Sequence, residues 1–283
     1  MPNNNYLSIY AKSFNWAGFF LPKKIYVKCS ALYDFCRTVD NIADDQNNLS
    51  IKKDNLLNFK NSFYNKNFNE IIIKNMWELI DEFKISKKIV NDLFDGINSD
   101  LKERVQLNSK KELLIYSYRV AGTVGLMMAK ILHVEEKNSL KSAIDLGIAM
   151  QLTNISRDVL EDAKNNRSYI SADFESIKET LKLADLFYES SFSSIKNIPI
   201  NFRFSILVAR RVYRKIGLNI LSKKNIENYN NSGKIYVTNF GKIIQTILSI
   251  YDLIKLTLIQ IEDHPRDSEH LIIKEEINLN ERF

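Results

Sequence analysis

Gln151-Leu152-Thr153-Asn154-Ile155-Ser156-Arg157-Asp158-Val159-Leu160-Glu161-Asp162 carries oxygen-bearing side chains at Gln151, Asn154, Asp158 and Asp162, at offsets of 0, 3, 7 and 11. On a helix turning about 100° per residue these four fall within roughly 80° of one another, a single polar stripe. Ile148, Leu152, Ile155 and Val159 form an adjoining apolar stripe. The spacing therefore predicts an amphipathic helix that turns its acidic stripe toward the protein interior.

A second acidic segment, Asp40-Asn41-Ile42-Ala43-Asp44, repeats the theme. Asp40 and Asp44 are one helical turn apart, and Arg37 lies a turn earlier on the same side. Such a pair is usually a solvated face. Here it is set among Ala31, Leu32, Phe35, Val39 and Ile42, which argues for an inward position. Carboxylates gathered inside a protein repel one another and are costly to desolvate unless a cation compensates them. Hard oxygen donors without Cys or a nearby His favour Mg²⁺ or Mn²⁺ over zinc, and Mg²⁺ is commonly shared between carboxylates and substrate phosphates. The two stripes thus imply a diphosphate ligand. Arg37, Arg157 and Arg167 fit phosphate oxygens through the bidentate guanidinium fork. Simple pairing of each arginine with a neighbouring acid is the competing explanation, most directly for Arg157 beside Asp158.

The rest of the chain is consistent with an all-α fold. Hydrophobic residues make up 45% of 283 positions, with only 8 Gly and 4 Pro to interrupt them, which favours long helices and short loops in one domain spanning 1–283. Helices are expected at 23–45, 71–83, 87–100, 110–132, 139–162, 174–196, 201–221 and 238–260, with a short helix or two within 46–70 and a functional break over 163–171. A bundle of this kind could enclose a central cavity. The net charge of +6 comes from scattered lysines without a dense basic block or interleaved aromatics, so nucleic acid is not an expected partner. Cys29 and Cys36 are too few for a disulfide framework and have no metal-ligand spacing. His133, His264 and His270 show no ligand pattern either. No secretory signal opens the chain, which points to the cytoplasm. Residues 243–261 are strongly apolar but are interrupted by Gln245, Asp252, Lys255 and Gln260, so they are expected to form a core helix, not a membrane span.

The segments Leu32 to Asp44, Tyr116-Ser117-Tyr118-Arg119-Val120-Ala121-Gly122-Thr123-Val124-Gly125, and Gln151 to Tyr169 together resemble the signatures of the squalene and phytoene synthase family, in the family order. The likeness extends from about Ser13 to Phe240 and is greatest to the bacterial phytoene synthases. It implies an isoprenoid-synthase helical bundle and a prenyl-group transferase that condenses two prenyl diphosphates head-to-head. By motif, Asp40 and Asp44 would form one metal-binding set, and Asn154, Asp158 and Asp162 the other. Ser13, Phe14, Arg37, Arg157 and Arg167 would lie by the diphosphates, and Tyr116 and Gln151 at the reaction centre. Val120, Ala121 and Gly125 would let the prenyl chain pass close to a helix, Tyr213 would stand near a leaving diphosphate, and Lys234 near the second diphosphate.

The implied product is phytoene from geranylgeranyl diphosphate, a step of carotenoid biosynthesis. The alternative is presqualene diphosphate, squalene or dehydrosqualene from farnesyl diphosphate, with NADPH used only for squalene. A catalytically inactive assembly factor is disfavoured because both ligand sets are intact. Peripheral membrane contact is compatible with a lipophilic product, and oligomeric state is not legible. Asn41 departs from the family's usual second acid, Ile170 and Ser171 from the proline expected after the Arg-x-Tyr element, and Lys234 stands where an arginine is usual.

Overall fold

The computed structural model describes residues 12–259 and 261–283. Residues 1–5, on which the absence of a secretory signal was read, and Gln260, the expected end of the last long helix, lie outside them. The described chain is helical apart from one short strand pair, in agreement with the all-α expectation.

Helix α1 (Lys12–Gly18) leads into α2 (Lys23–Asp44), which starts directly after Pro22 and ends with the first acidic segment. A proline at a helix start gives up only an amide that has no intrahelical acceptor. Asn48 caps α3 (Leu49–Tyr64) by accepting from the Ile51 amide, and Ser86 caps α5 (Lys87–Ser99), which follows α4 (Ile71–Phe83). These four helices share an aromatic cluster in which Phe35, Phe63, Phe94 and Trp77 stand ring against ring.

The helix expected over 110–132 is continuous but not uniform. It comprises α6 (Lys110–Ser117), a π-helical turn (Tyr118–Gly122) and α7 (Thr123–Ile131). π turns are uncommon and shift the side chains that follow around the axis. Next comes α8 (Lys137–Lys164), 28 residues long, which packs against the π turn, α7, α9 (Phe174–Phe192) and α10 (Ile200–Leu221). A 3₁₀ turn over Ser193–Asn197 joins α9 to α10.

The break after α8 contains two-residue strand β2 (Arg167–Ser168), which pairs in parallel with β1 (Val105–Gln106). The Val105 amide donates to Asn166 O at 3.0 Å and the Leu107 amide to Ser168 O at 3.1 Å. This pairing pins the backbone on both sides of Arg167. Neither it nor α1, α11 (Ile226–Asn231) and α13 (Ser268–Glu276) is evident from periodicity, because each element is too short.

The expectation of a core helix at 243–261 is overturned. Helix α12 (Asn239–Leu258) lies on the surface and exposes most of its apolar residues, while Lys242, Ser249 and Asp252 face inward. Apolar content cannot distinguish a core helix from a surface helix of reversed polarity. That difference rests on which side meets α10.

Backbone contact between α8 and the π turn and α7 explains two glycines. A Cβ on Gly147 would stand 2.3 Å from Ala121 O, and one on Gly125 would stand 2.2 Å from Ala143 O. Neither neighbour is a flexible side chain. Gly147→Ala is therefore expected to destabilise the fold by about 1–3 kcal/mol through overpacking. Gly217→Ala, which meets only Leu181 Cδ2 at 3.2 Å, is expected to cost much less. Thermal or denaturant unfolding of the two variants checks the ranking, and equal midpoints would refute it.

Candidate active site

The carboxyl-terminal half of α8 carries the stripe that the spacing predicted. Gln151, Asn154, Asp158 and Asp162 are half-buried, while Ile148, Leu152, Ile155 and Val159 are buried on the adjoining side. On α2, Arg37 and Asp40 are half-buried and Asp44 is exposed at the helix end.

Three arginines hold these acids. Arg37 Nη1 donates to Asp40 Oδ2 and its other terminal nitrogen lies 3.8 Å from Asp44. Arg157 grips Asp158 with both edges of its fork, Nε donating to Oδ1 at 2.8 Å. Arg167, held by the strand pair, donates to Asp44 Oδ1 at 2.8 Å and to Ala43 O at 3.1 Å. It also approaches Asp162, with which it lines a narrow gap of about 10 Å³ closed by Ile155, Val159, Tyr169 and Ile170. Arg167 therefore links the α8 stripe to the end of α2. Lys234 is exposed, with Nζ 2.6 Å from Glu161 Oε2 and 3.4 Å from Asp158 Oδ1.

The remaining expected residues take varied positions. Ser13 and Phe14 are half-buried on α1, and the Phe14 ring lies 4.9 Å from that of buried Tyr213 on α10. Val120, Ala121 and Gly125 are half-buried on the π turn and α7. For Gly125, the approach of α8 accounts for the missing side chain without a ligand. Tyr116 is buried, and its hydroxyl donates to Asp100 Oδ2 at 2.8 Å. Tyr169 donates to the other oxygen of Asp100 at 2.8 Å, and the two phenol rings stack with centroids 4.7 Å apart.

Asp100 was not legible in the sequence. It stands just past the end of α5, in no motif, and becomes notable only when two tyrosines converge on it. Tyr229 was likewise missed. Its hydroxyl lies 3.0 Å from Ser156 O and 2.8 Å from Arg157 O, fastening α11 to the backbone of the stripe. A larger recess of about 420 Å³ lies apart from these groups, between α9 and α10, beside Asp185 and Arg214.

Fit to a divalent cation can be judged from the donors. Asn154 Oδ1 is buried on the polar stripe with no hydrogen-bond partner, an expensive state for an amide oxygen. A hard cation shared with Asp158 and Asp162 would satisfy it. Among the described residues no three His, Cys, Asp or Glu side chains already converge into a metal cage. The donor set suits Mg²⁺ or Mn²⁺ once the arginines release their carboxylates.

Crowding of like charges shows in the titration of the acids. Burial, then repulsion from Asp44, pushes Asp40 up to about 6, against the pull of Arg37. Burial and the neighbouring Asp158 push Asp162 up to about 7. Both groups bind a proton more tightly in the folded chain than in the unfolded one, where an aspartate titrates near about 3.9. Their contribution to stability is present below that value and is lost as pH rises through about 6 and about 7. Without added divalent cation, the melting temperature should thus fall between about pH 5 and about pH 8, and Asp162→Asn should flatten that fall. Differential scanning fluorimetry across pH tests this, and identical profiles for the two proteins would contradict it.

Comparison with known proteins identifies the family and the fold. The squalene/phytoene synthase family profile matches residues 8–176. A 15-cis-phytoene synthase of Paracoccus sp. is 37% identical, over 46% of this chain and 48% of that protein, so the chain matches about half the length of that relative. A 15-cis-phytoene synthase of Pantoea ananas is 27% identical over 76% of this chain and 80% of that protein. The solved structure of a dehydrosqualene synthase in complex with ligand superposes with a TM-score of 0.70 at 24% identity, covering 87% of this chain and 93% of that one, which establishes the common fold. With the family profile spanning more than half of its length, this chain belongs to the squalene/phytoene synthase family.

Proposed function

We propose that the chain is a phytoene synthase-type prenyltransferase that joins two geranylgeranyl diphosphates head-to-head, through a cyclopropyl prephytoene diphosphate, to give phytoene. The observation that carries this reading is a polar, arginine-served stripe on a helix packed against elements that leave apolar residues half-buried. The polar stripe on α8 is served by three arginines, and the π turn and α7, which pack against α8, leave Val120, Ala121, Val124 and Met128 only half-buried. A prenyl diphosphate has the same division, an anionic head and an apolar tail.

In this reading Arg37, Arg157 and Arg167 exchange carboxylate partners for phosphate oxygens, which match the guanidinium fork equally well. The freed Asp40, Asp44, Asp158 and Asp162, with Asn154, would hold Mg²⁺, which when bound would supply charge neutralisation to the departing diphosphate. Ionisation of the first substrate leaves an allylic cation, and the double bond of the second attacks it. Loss of a proton closes the cyclopropane. A second ionisation opens that ring, and a further proton loss gives the hydrocarbon. The apolar stripe keeps water from the cations. Gln151 and Tyr116 stand at the reaction centre, and Tyr116 is held there by Asp100 and Tyr169. Burial keeps the Tyr116 hydroxyl protonated far above the ordinary tyrosine range, so it acts as a fixed dipole near the cation.

The test is incubation of the purified protein and Mg²⁺ with geranylgeranyl or farnesyl diphosphate, with and without NADPH, followed by identification of the hydrocarbon. Phytoene is the expected product. Squalene or dehydrosqualene from farnesyl diphosphate would replace the substrate assignment, and no product from either would overturn the enzymatic one. Asp40→Asn and Asp158→Asn should each lower turnover by about a hundredfold or more while leaving the helical circular dichroism unchanged. Retained turnover would remove those residues from the cation site.

A further inference from the structure

Helix α12 is built inside out. Tyr236 just before it and Phe240, Tyr251 and Leu258 on it are 69%, 72%, 63% and 78% exposed, and Ile247 and Ile254 lie between them on the same side. The polar residues turn inward, where Asp252 accepts from Arg211 Nη2 of α10 at 2.7 Å and Thr246 accepts from Trp16 Nε1 of α1 at 3.0 Å. These bonds fix the rotation of the helix, so the apolar side cannot roll into the core. A continuous apolar face running nearly the full 20 residues is what a soluble surface helix avoids.

The charge pattern indicates what covers it. Between residues 236 and 259 the charged side chains are Lys242, Asp252 and Lys255, of which the first two are buried, so the accessible charge of this stretch is half-buried Lys255, whose Nζ stands 5.7 Å from the Phe192 ring centroid. Phe19, 86% exposed, stands three residues beyond the Trp16 bond to α12 and is followed by exposed Lys23 and Lys24. The whole chain carries a net charge of +6. A protein partner is normally held in register by hydrogen bonds and ion pairs around an apolar centre. The outward face of α12 offers little beyond two tyrosine hydroxyls for that purpose. A lipid surface needs no register. It accepts apolar side chains beneath the headgroups, aromatic rings at headgroup level and lysines against anionic lipid. No described helix is long and apolar enough to cross a membrane, so the contact is in the plane of one leaflet.

We propose that the outward face of α12 is a docking surface for anionic membrane, on which the helix lies flat with its apolar residues below the headgroups. This goes beyond the enzymatic reading and does not depend on it, because binding is measured without substrate. In flotation assays the full chain should rise with phosphatidylcholine vesicles containing phosphatidylglycerol, and less with phosphatidylcholine alone. The double variant Ile247→Glu/Tyr251→Glu should weaken binding by about tenfold or more, with an unchanged melting temperature since both positions are exposed. In Tyr251→Trp, a blue-shifted indole emission on adding vesicles would place residue 251 in the apolar layer. Absence of flotation with either vesicle, or flotation unaltered in the double variant, would overturn the proposal. So would sedimentation equilibrium showing a dimer that the double variant dissociates, which would assign the face to a second copy of the chain.

Discussion

Aspartates crowded along two helices, three of them half-buried, are the constraint around which this protein is organised. Left alone, Asp40, Asp44, Asp158 and Asp162 would repel one another in a medium that screens poorly. Arg37, Arg157 and Arg167 offset that repulsion, yet incompletely, since Asp40 and Asp162 still titrate well above ordinary aspartates. The result is a site that is paired but under electrostatic load. In the proposed function an anionic ligand arriving with divalent cations would relieve both sides, giving the arginines phosphate oxygens and the acids a metal. Asn154, whose buried carbonyl oxygen has no partner, marks where that relief is least complete.

Much of the surrounding architecture serves to hold those groups. Strand pairing with β1 sets Arg167 against the end of α2, an action at a distance by four residues of sheet in a helical protein. Tyr229 fastens the α8 backbone at Ser156 and Arg157. Gly125 and Gly147 let α8 approach the π turn and α7 backbone to backbone. Asp100 receives two tyrosine hydroxyls and is desolvated enough that its carboxyl, too, titrates high. These residues form the frame that aims the motif residues.

Surface and interior follow different rules here. Within the bundle, Gln151, Asn154, Asp158 and Asp162 of α8 are gathered into a single stripe. At α12 the polarity is reversed, with an ion pair and a serine inward and isoleucines, leucines and aromatics outward. In the proposed function the inner residues would meet a ligand's head and tail separately, and in the proposed docking the outer face would meet the boundary between a headgroup layer and acyl chains. Both are amphiphilic surfaces, made by placing charge where the helix packing leaves room for it.

The sequence by itself determined the helical class, the extent of α4 and nearly that of α2, α5 and α10, and the alignment of Gln151, Asn154, Asp158 and Asp162, because these follow from the 3.6-residue period and from prolines at helix starts. It also determined that Asp40 and Asp44 share a face. Only the tertiary structure decided that Arg167 meets Asp44, residues 123 positions apart, and that Tyr116 and Tyr169 meet on Asp100. Periodicity describes one helix at a time and is silent on partners brought together by chain crossing. For the same reason the apolar stretch at 243–261 read as core. Which side of α12 is buried depends on the bonds that Asp252 and Thr246 make to α10 and α1, and no count of apolar residues contains them.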